Sequence, residues 1–98
     1  MQVEMRSTTE IKPYKNNPRS NDAAVDAVAE SIREFGFRQP IVVDENDVII
    51  VGDTRYKAAL KLALDKVPVH VARGLTPAQA KAYRIADKPD GDLVPLGP

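Results

Sequence analysis

The sequence predicts a compact α/β (α+β) domain with a small mixed sheet and about three helices. Two short β-branched runs, Ile41–Val43 and Val48–Val51, flank an acidic turn, and this arrangement is typical of a hairpin. Segments with helical apolar spacing alternate with such runs along the chain, which is typical of mixed folds. The 98 residues have room for one hydrophobic core but not for two.

The N-terminal part of the chain predicts a short strand followed by one helix. Val3 and Met5 alternate with polar neighbours, which indicates a strand. The prolines and asparagines within residues 11–19 exclude a helix there. The segment Ala23–Phe35 predicts the first helix, and Gly36 stands where a left-handed residue ends it. The apolar stripe of this helix consists of Val25, Val28, Ala29, Ile32 and Phe35.

The second half of the chain predicts two more helices and a further strand. A helix is expected over about Thr54–Leu64, and a strand over Val67–Ala72. Pro68 lies near the start of that strand and therefore predicts a place at the edge of the sheet. A capping box with proline at its first helical position opens the third helix, Thr76–Ala86. The segment Asp87–Pro98 contains three prolines and two glycines, which indicates a flexible tail or the start of a linker.

Composition excludes several classes of function. The 14 basic and 14 acidic residues cancel, which argues against a strongly basic nucleic-acid or membrane-surface module. Without cysteine the chain has no thiol catalysis or Cys-ligated metal, and with one histidine it has no multi-His metal site. No apolar run is long enough to span a bilayer, so a cytoplasmic protein is expected.

The most informative feature is a glycine turn between a β-branched strand and a helix. Gly52 lets the backbone approach a ligand closely, and the first-turn N–H groups of the helix favour an anion. Thr54 adds a hydroxyl, and Arg55 adds a planar fork of donors suited to phosphate oxygens. On these residues alone two interpretations stay open. The turn is either a phosphate cradle, or a plain helix start in which Asp53 is the N-cap and Arg55 is a solvated surface residue.

Several short motifs follow one another in the order and spacing of a known domain family. They are a helix end S-I-x-x-x-G at 31–36, a strand start Q-P-I-x-V at 39–43, a turn G-x-x-R at 52–55 and a strand start V-P at 67–68. An N-P-R stretch at 17–19 and an L-T-x-x-x-A helix start at 75–80 accompany them. Over about residues 8–88 the chain thus resembles the ParB N-terminal-like domain, the superfamily shared with sulfiredoxin. It is most similar to the ParB-like nuclease domains of phages and of DNA methyltransferases.

The resemblance implies a ParB/sulfiredoxin-like fold that binds a nucleotide phosphate. It assigns the phosphate to the helix start made of Gly52, Asp53, Thr54 and Arg55. Two further pairs are candidate contacts: Arg38 and Gln39, which border the pocket in the family, and Asn17 and Arg19, which carry side-chain donors. An exposed connector and a solvated loop are the alternative interpretations of these two pairs. The expected cofactor is a nucleoside triphosphate, CTP or ATP, with Mg²⁺.

The chain also departs from the family at specific positions. Sulfiredoxin activity is excluded, because Asp53 stands where those enzymes carry their cysteine. Thr54 replaces an arginine of the chromosome-segregation relatives, and their later E-N-x-x-R stretch has no match near residues 86–89. No helix-turn-helix follows residue 88. Operator binding of the segregation kind is therefore not expected.

Three functions remain open. The first is a nucleotide-binding module in DNA metabolism of a phage, a mobile element or a DNA-modification system, related to plasmid partition. The second is a metal-dependent phosphoryl-transfer enzyme (a nuclease, nucleotide hydrolase or small-molecule kinase) with Asp53 as its best catalytic candidate, and the third is an adaptor without a ligand. Expected partners are a nucleotide, weak or indirect nucleic-acid contact and a homodimer, without a membrane. The expected organisation is a domain over residues 1–88 and a tail or linker over 89–98.

Overall fold

A computed structural model describes residues 2–15 and 22–86. Asn17, Arg19 and the predicted tail lie outside the described residues. Within them the elements follow the predicted order, and the prediction of a mixed sheet with three helices is confirmed. In chain order they are β1 (Glu4–Ser7), a 3-10 helix (Thr8–Glu10), α1 (Asp22–Phe35), β2 (Ile41–Val43), β3 (Ile49–Val51), α2 (Asp53–Lys61), β4 (Lys66–Val71) and α3 (Pro77–Ala86).

The sheet has the strand order β1-β4-β2-β3. β1 pairs with β4 and β2 pairs with β3 in antiparallel fashion, whereas β2 and β4 are parallel. The prediction that β4 is an edge strand is therefore wrong, since β4 lies between β1 and β2. The sheet tolerates Pro68 because this residue is opposite Met5 of β1, while pairing with β2 begins only at Val69, opposite Ile41. The missing N–H of Pro68 thus removes no bond to β2.

One face of the sheet holds the main core, covered by α2. Its fully buried members include Ile41, Val43, Val67 and Val69, and α2 contributes Tyr56 and Ala59. α1 packs on the outer side of α2, where Val25 and Ala29 of α1 form a cluster with Ala58 of α2. α3 covers the other face of the sheet by packing Ala80 against Val42 and Ile50.

Two details of the helices differ from the predictions. Phe35, the last residue of the predicted apolar stripe, is 65% exposed. The sequence spacing predicts an apolar side for the second helix that does not include Ala58: Tyr56, Ala59, Leu60, Ala63 and Leu64. Ala58 is nevertheless fully buried, because α2 lies between the sheet and α1 and so has two apolar sides, whereas Leu60 is 50% exposed. The end of α1 is as predicted: Gly36 has a φ of +86° and donates its N–H to the Ile32 carbonyl at 2.8 Å.

Candidate functional site

Gly52 forms the junction between β3 and α2. Its φ of +104° lies in the region that favours glycine. A Cβ atom here would lie 3.1 Å from Arg55 Nη2 and 3.3 Å from Ile41 Cα, so the turn also needs glycine for space. Gly52 is itself the N-cap of α2 and supplies no side-chain cap. The interpretation of Asp53 as N-cap is therefore wrong, because Asp53 is the first residue within the helix.

Arg55 lies folded back over this turn. Its Nη1 donates to Gln39 Oε1 and its Nη2 to the Pro40 carbonyl, both at 3.2 Å. The residue is half-buried, so the interpretation of Arg55 as a solvated surface residue is wrong. These bonds hold the connector before β2 against the first turn of α2. Two of the sequence-predicted segments thereby form one site.

Asp53 carries the acidic group of this site. Its Oδ2 forms an ion pair with Lys57 Nζ at 2.9 Å, one helical turn later. Its Oδ1 is buried and has no hydrogen-bond partner. A buried carboxylate oxygen without a donor is costly, and a cation or a ligand hydroxyl would satisfy it. Sequence reasoning missed Lys57, although the i, i+4 spacing of an acid and a base was the available signal.

Of the remaining predicted residues, Thr54 lies within the turn and Arg38 lies beside it. Thr54 is half-buried in the first turn of α2, next to Asp53. Arg38 precedes Gln39 in the connector, but its Nε donates to the Phe35 carbonyl at 2.9 Å, which directs it to the C-terminal end of α1. Asn17 and Arg19 lie outside the described residues. The candidate site therefore consists of five residues, which we call the α2 turn site: Gln39, Gly52, Asp53, Thr54 and Arg55. Arg38 and Lys57 lie beside it.

Two titratable residues elsewhere, His70 and Glu30, have ordinary partners. His70 Nδ1 lies 2.8 Å from the Gln2 carbonyl oxygen, and Glu30 forms an exposed ion pair with Arg33 at 3.5 Å. Within residues 2–15 and 22–86, no group of three or more histidine, aspartate or glutamate residues is arranged to hold a metal ion. Nor does any helix of that part combine the length and apolar character needed to cross a membrane.

Two concavities of the described surface lie away from the α2 turn site. A cleft of about 460 Å³ separates the N-terminal half of α3 from the turn between β2 and β3, with Tyr14 and Arg84 in its wall. A second one, of about 420 Å³, lies beside His70 and Arg73. At the α2 turn site the Arg55 side chain lies over the glycine, with its Nη2 3.1 Å from the place where a Cβ of residue 52 would stand.

Comparison with known proteins gives matches over most of the chain. The model of the ParB N-terminal domain family matches residues 1–87. The ParB-like nuclease domain-containing protein YnaK of Escherichia coli K12 is 39% identical over 80 residues, which are 81% of this chain and 92% of that protein. A nucleoid occlusion protein of Bacillus cereus is 44% identical over 64 residues. That match covers 59% of this chain but only 22% of the Bacillus protein.

Solved structures share the fold at low sequence identity. The chromosome-partitioning protein ParB of Caulobacter crescentus, complexed with CTP-gamma-S, has a TM-score of 0.79 at 21% identity, covering 100% of this chain and 56% of that one. Sulfiredoxin of Arabidopsis thaliana has a TM-score of 0.70 at 23% identity, covering 85% of this chain and 97% of that one. A free serine kinase in complex with ADP has a TM-score of 0.64 at 18% identity, covering 74% and 31%. The expected ParB/sulfiredoxin fold is confirmed.

Proposed function

The chain belongs to the ParB N-terminal domain family, and we propose that it is a nucleotide-binding module whose phosphate site is the α2 turn site. The observation that carries the proposal is the position of Arg55, fixed by Gln39 and Pro40 over an N-terminal helix turn that has no side-chain cap. The proposed setting is cytoplasmic DNA metabolism in a phage, mobile-element or DNA-modification system. That setting is based on the resemblance of the sequence motifs.

The backbone of α2 supports an anion at this end. The first-turn amides of an α-helix have no acceptor within the helix, and the helix dipole places partial positive charge there. The first intrahelical bond of α2 runs from the Tyr56 N–H to the Gly52 carbonyl, at 2.9 Å. The amides of Asp53 and Thr54 precede it and are the expected donors to a phosphate oxygen.

The side chains support the same ligand. The Arg55 guanidinium donates from Nη1 to Gln39 and from Nη2 to Pro40, and its planar fork of donors is of the kind that suits phosphate oxygens. Fixing the guanidinium before the ligand arrives lowers the entropy cost of the contact. Lys57 offsets the charge of Asp53, so the positive charge of Arg55 dominates the local field.

The α2 turn site has one carboxylate that could hold the Mg²⁺ of a bound nucleoside triphosphate. CTP-gamma-S is bound by the Caulobacter ParB and ADP by the free serine kinase. In this chain Asp53 Oδ1 is the one buried carboxylate oxygen without a donor among the described residues. Mg²⁺ usually keeps several waters and takes one or two carboxylates plus substrate phosphates. Asp53 would supply the carboxylate ligand, and the nucleotide phosphates and water would supply the other ligands of the ion.

The same oxygen favours a second candidate function, metal-dependent phosphoryl transfer. A carboxylate that holds Mg²⁺ beside the phosphates would help to neutralise charge as a phosphoryl group is transferred. Binding without turnover is ranked first, because among the described residues no group of three or more histidine, aspartate or glutamate side chains is arranged to hold a metal ion.

Amide NMR shifts during nucleotide titration test the proposal. CTP, ATP and inorganic phosphate are added separately, each with MgCl₂, to the wild type and to Arg55→Lys, which keeps the charge but loses the planar fork. We expect the amides of Gly52–Arg55 to shift with a nucleotide, and Arg55→Lys to weaken binding roughly tenfold, the effect of one charge-assisted hydrogen bond.

Arg33→Lys is the matched control, because Arg33 is exposed on α1 and pairs only weakly with Glu30. It should leave nucleotide binding unchanged. If the amides of the turn do not move at millimolar nucleotide while the rest of the spectrum stays folded, the α2 turn site is not a phosphate site.

A further inference from the structure

The outer edge of β1 has no strand partner within residues 2–15 and 22–86. β1 is the terminal strand of the sheet, and no described residue pairs with its outer side. The Thr8 N–H donates to the Asp65 carbonyl at 2.9 Å, which continues the register of β1 with β4. Bonds of an antiparallel pair recur at every second residue, so Glu4 and Arg6 bond to β4. Met5 therefore turns its N–H and C=O outwards, in agreement with its position opposite Pro68, which has no N–H.

The side chains of this edge divide between the two faces. Met5, 58% exposed, and Val3, 49% exposed, share one face because strand side chains alternate. Glu4 and Arg6 share the other face. Arg6 forms ion pairs with Glu4 and with Asp47 of the β2–β3 turn, both at 2.6 Å. Asp47 thus holds the Arg6 guanidinium independently of Glu4.

The sequence of β1 is complementary to itself. When two antiparallel copies meet with Met5 opposite Met5, each Glu4 stands opposite the Arg6 of the other copy. Opposite charges at directly opposed positions stabilise an antiparallel pair, and the two methionines exchange both of their outward hydrogen bonds. We propose that a second copy of this chain pairs with β1 in this register, so that two four-stranded sheets join across a twofold axis.

The interface is short. The outward N–H of Ser7 is directed to Glu10 Oε1 at 3.3 Å, as part of the capping box of the 3-10 helix. The paired β1 strands of the two copies therefore span only about Val3 to Ser7. We expect a weak dimer that forms with rising protein concentration. β1 is not part of the α2 turn site, so this proposal does not depend on the proposed function.

Sedimentation velocity at rising protein concentration, with charge variants, tests the proposal. Glu4→Lys places a lysine opposite Arg6, and Arg6→Glu places a glutamate opposite Glu4, so each variant alone should be monomeric where the wild type dimerises. An equimolar mixture of the two should form a heterodimer, because every opposed pair then carries opposite charges. Circular dichroism confirms that each variant is folded, since Arg6→Glu also loses its contact with Asp47.

Met5→Pro provides a second test that does not change charge. It removes the outward N–H at the centre of the interface but no bond to β4, so the melting temperature should change little while dimerisation is lost. A wild type that stays monomeric at millimolar concentration overturns the proposal. So does a dimer that survives Met5→Pro, or single charge variants that dimerise as well as their mixture.

Discussion

The guanidinium of Arg84 in α3 lies 4.0 Å from the centroid of the Tyr14 ring, in the segment that precedes α1. Its Nε also donates to the Ile49 carbonyl of β3 at 3.0 Å, and the side chain is only 14% exposed. The Ile49 N–H in turn donates to the Lys12 carbonyl at 2.9 Å. Arg84 and Lys12 thus occupy the main-chain groups of Ile49 at the β3 edge, whereas the outward groups of Met5 at the β1 edge have no such cover among the described residues.

Arg84→Ala should therefore destabilise the protein. The truncation leaves the Ile49 carbonyl without its donor and removes the stacking on Tyr14, and together these losses should cost about 2 kcal/mol of unfolding free energy. Urea denaturation measures the effect. Arg33→Ala, at an exposed position on α1, serves as control and should change stability by less than about 0.5 kcal/mol. Equal effects of the two variants would contradict the role given to Arg84.

Gly52→Ala should be more harmful than Gly36→Ala. Both glycines have positive φ, so each substitution incurs backbone strain of about 1 kcal/mol. A Cβ at Gly36 meets no atom within 4 Å, whereas one at Gly52 crowds Ile41 and Arg55. We expect a loss of about 2–3 kcal/mol at Gly52, measured by urea denaturation. Similar losses at the two positions would show that the approach of Ile41 to the turn imposes no constraint.

Arg55→Ala should affect both stability and the connector before β2. The half-buried guanidinium bonds the Pro40 carbonyl, so its removal should cost about 1 kcal/mol. Hydrogen exchange of the amides near Gln39 should become faster, because the connector loses its link to α2. Gln39→Ala removes only one of the two bonds and should have a smaller effect. Unchanged exchange in Arg55→Ala would show that other contacts hold the connector.

Asp53→Asn separates the charge of this residue from its shape. Without metal, the carboxylate repels a phosphate, so the variant should bind nucleotide several-fold more tightly than the wild type. With Mg²⁺ the variant should bind nucleotide more weakly than the wild type, because it has lost the carboxylate ligand for the ion. Calorimetric titration in EDTA and in MgCl₂ measures both affinities. We expect no nucleotide turnover by the wild type; metal-dependent turnover that Asp53→Asn abolishes would favour the enzyme instead.

DNA binding by this chain should be weak and independent of sequence. The net charge is zero, and few cations are clustered on the chain, so few phosphates can be contacted. Fluorescence anisotropy with labelled duplexes should show an affinity that falls steeply between 50 and 200 mM salt. Submicromolar, sequence-selective binding at physiological salt would contradict this prediction.

Local sequence signals predicted most of the elements. The stripe of α1 as far as Ile32, the glycine after the helix and the capping box of α3 each depend on neighbouring residues, and each is present in the structure. Pro68 alone could not predict the place of β4 within the sheet. A proline is tolerated in this central strand because pairing with β2 begins only after it, and where that pairing begins is a tertiary feature. The burial of Ala58 was equally hidden, since only the packing of α1 on α2 creates it.

The α2 turn site was predictable in its residues but not in its contacts. The motifs placed Gly52 and Arg55 at a strand-to-helix turn, where the structure has them. The bonds from Arg55 to Gln39 and Pro40 join segments that are 15 and 16 residues apart, and no local pattern encodes such a contact. The orphaned oxygen of Asp53 likewise follows from tertiary burial.

The central position of β4 has a consequence for synthesis on the ribosome. β1 and the β2–β3 hairpin are made first, yet in the finished sheet their strands do not pair with each other, and β4 lies between β1 and β2. A nascent chain that has not yet emerged as far as Val71 therefore carries strands whose partner is missing. Folding of the sheet must wait for Lys66–Val71 to leave the exit tunnel, and a translational pause before that point would prolong the exposure of unpaired strands to aggregation or to chaperones.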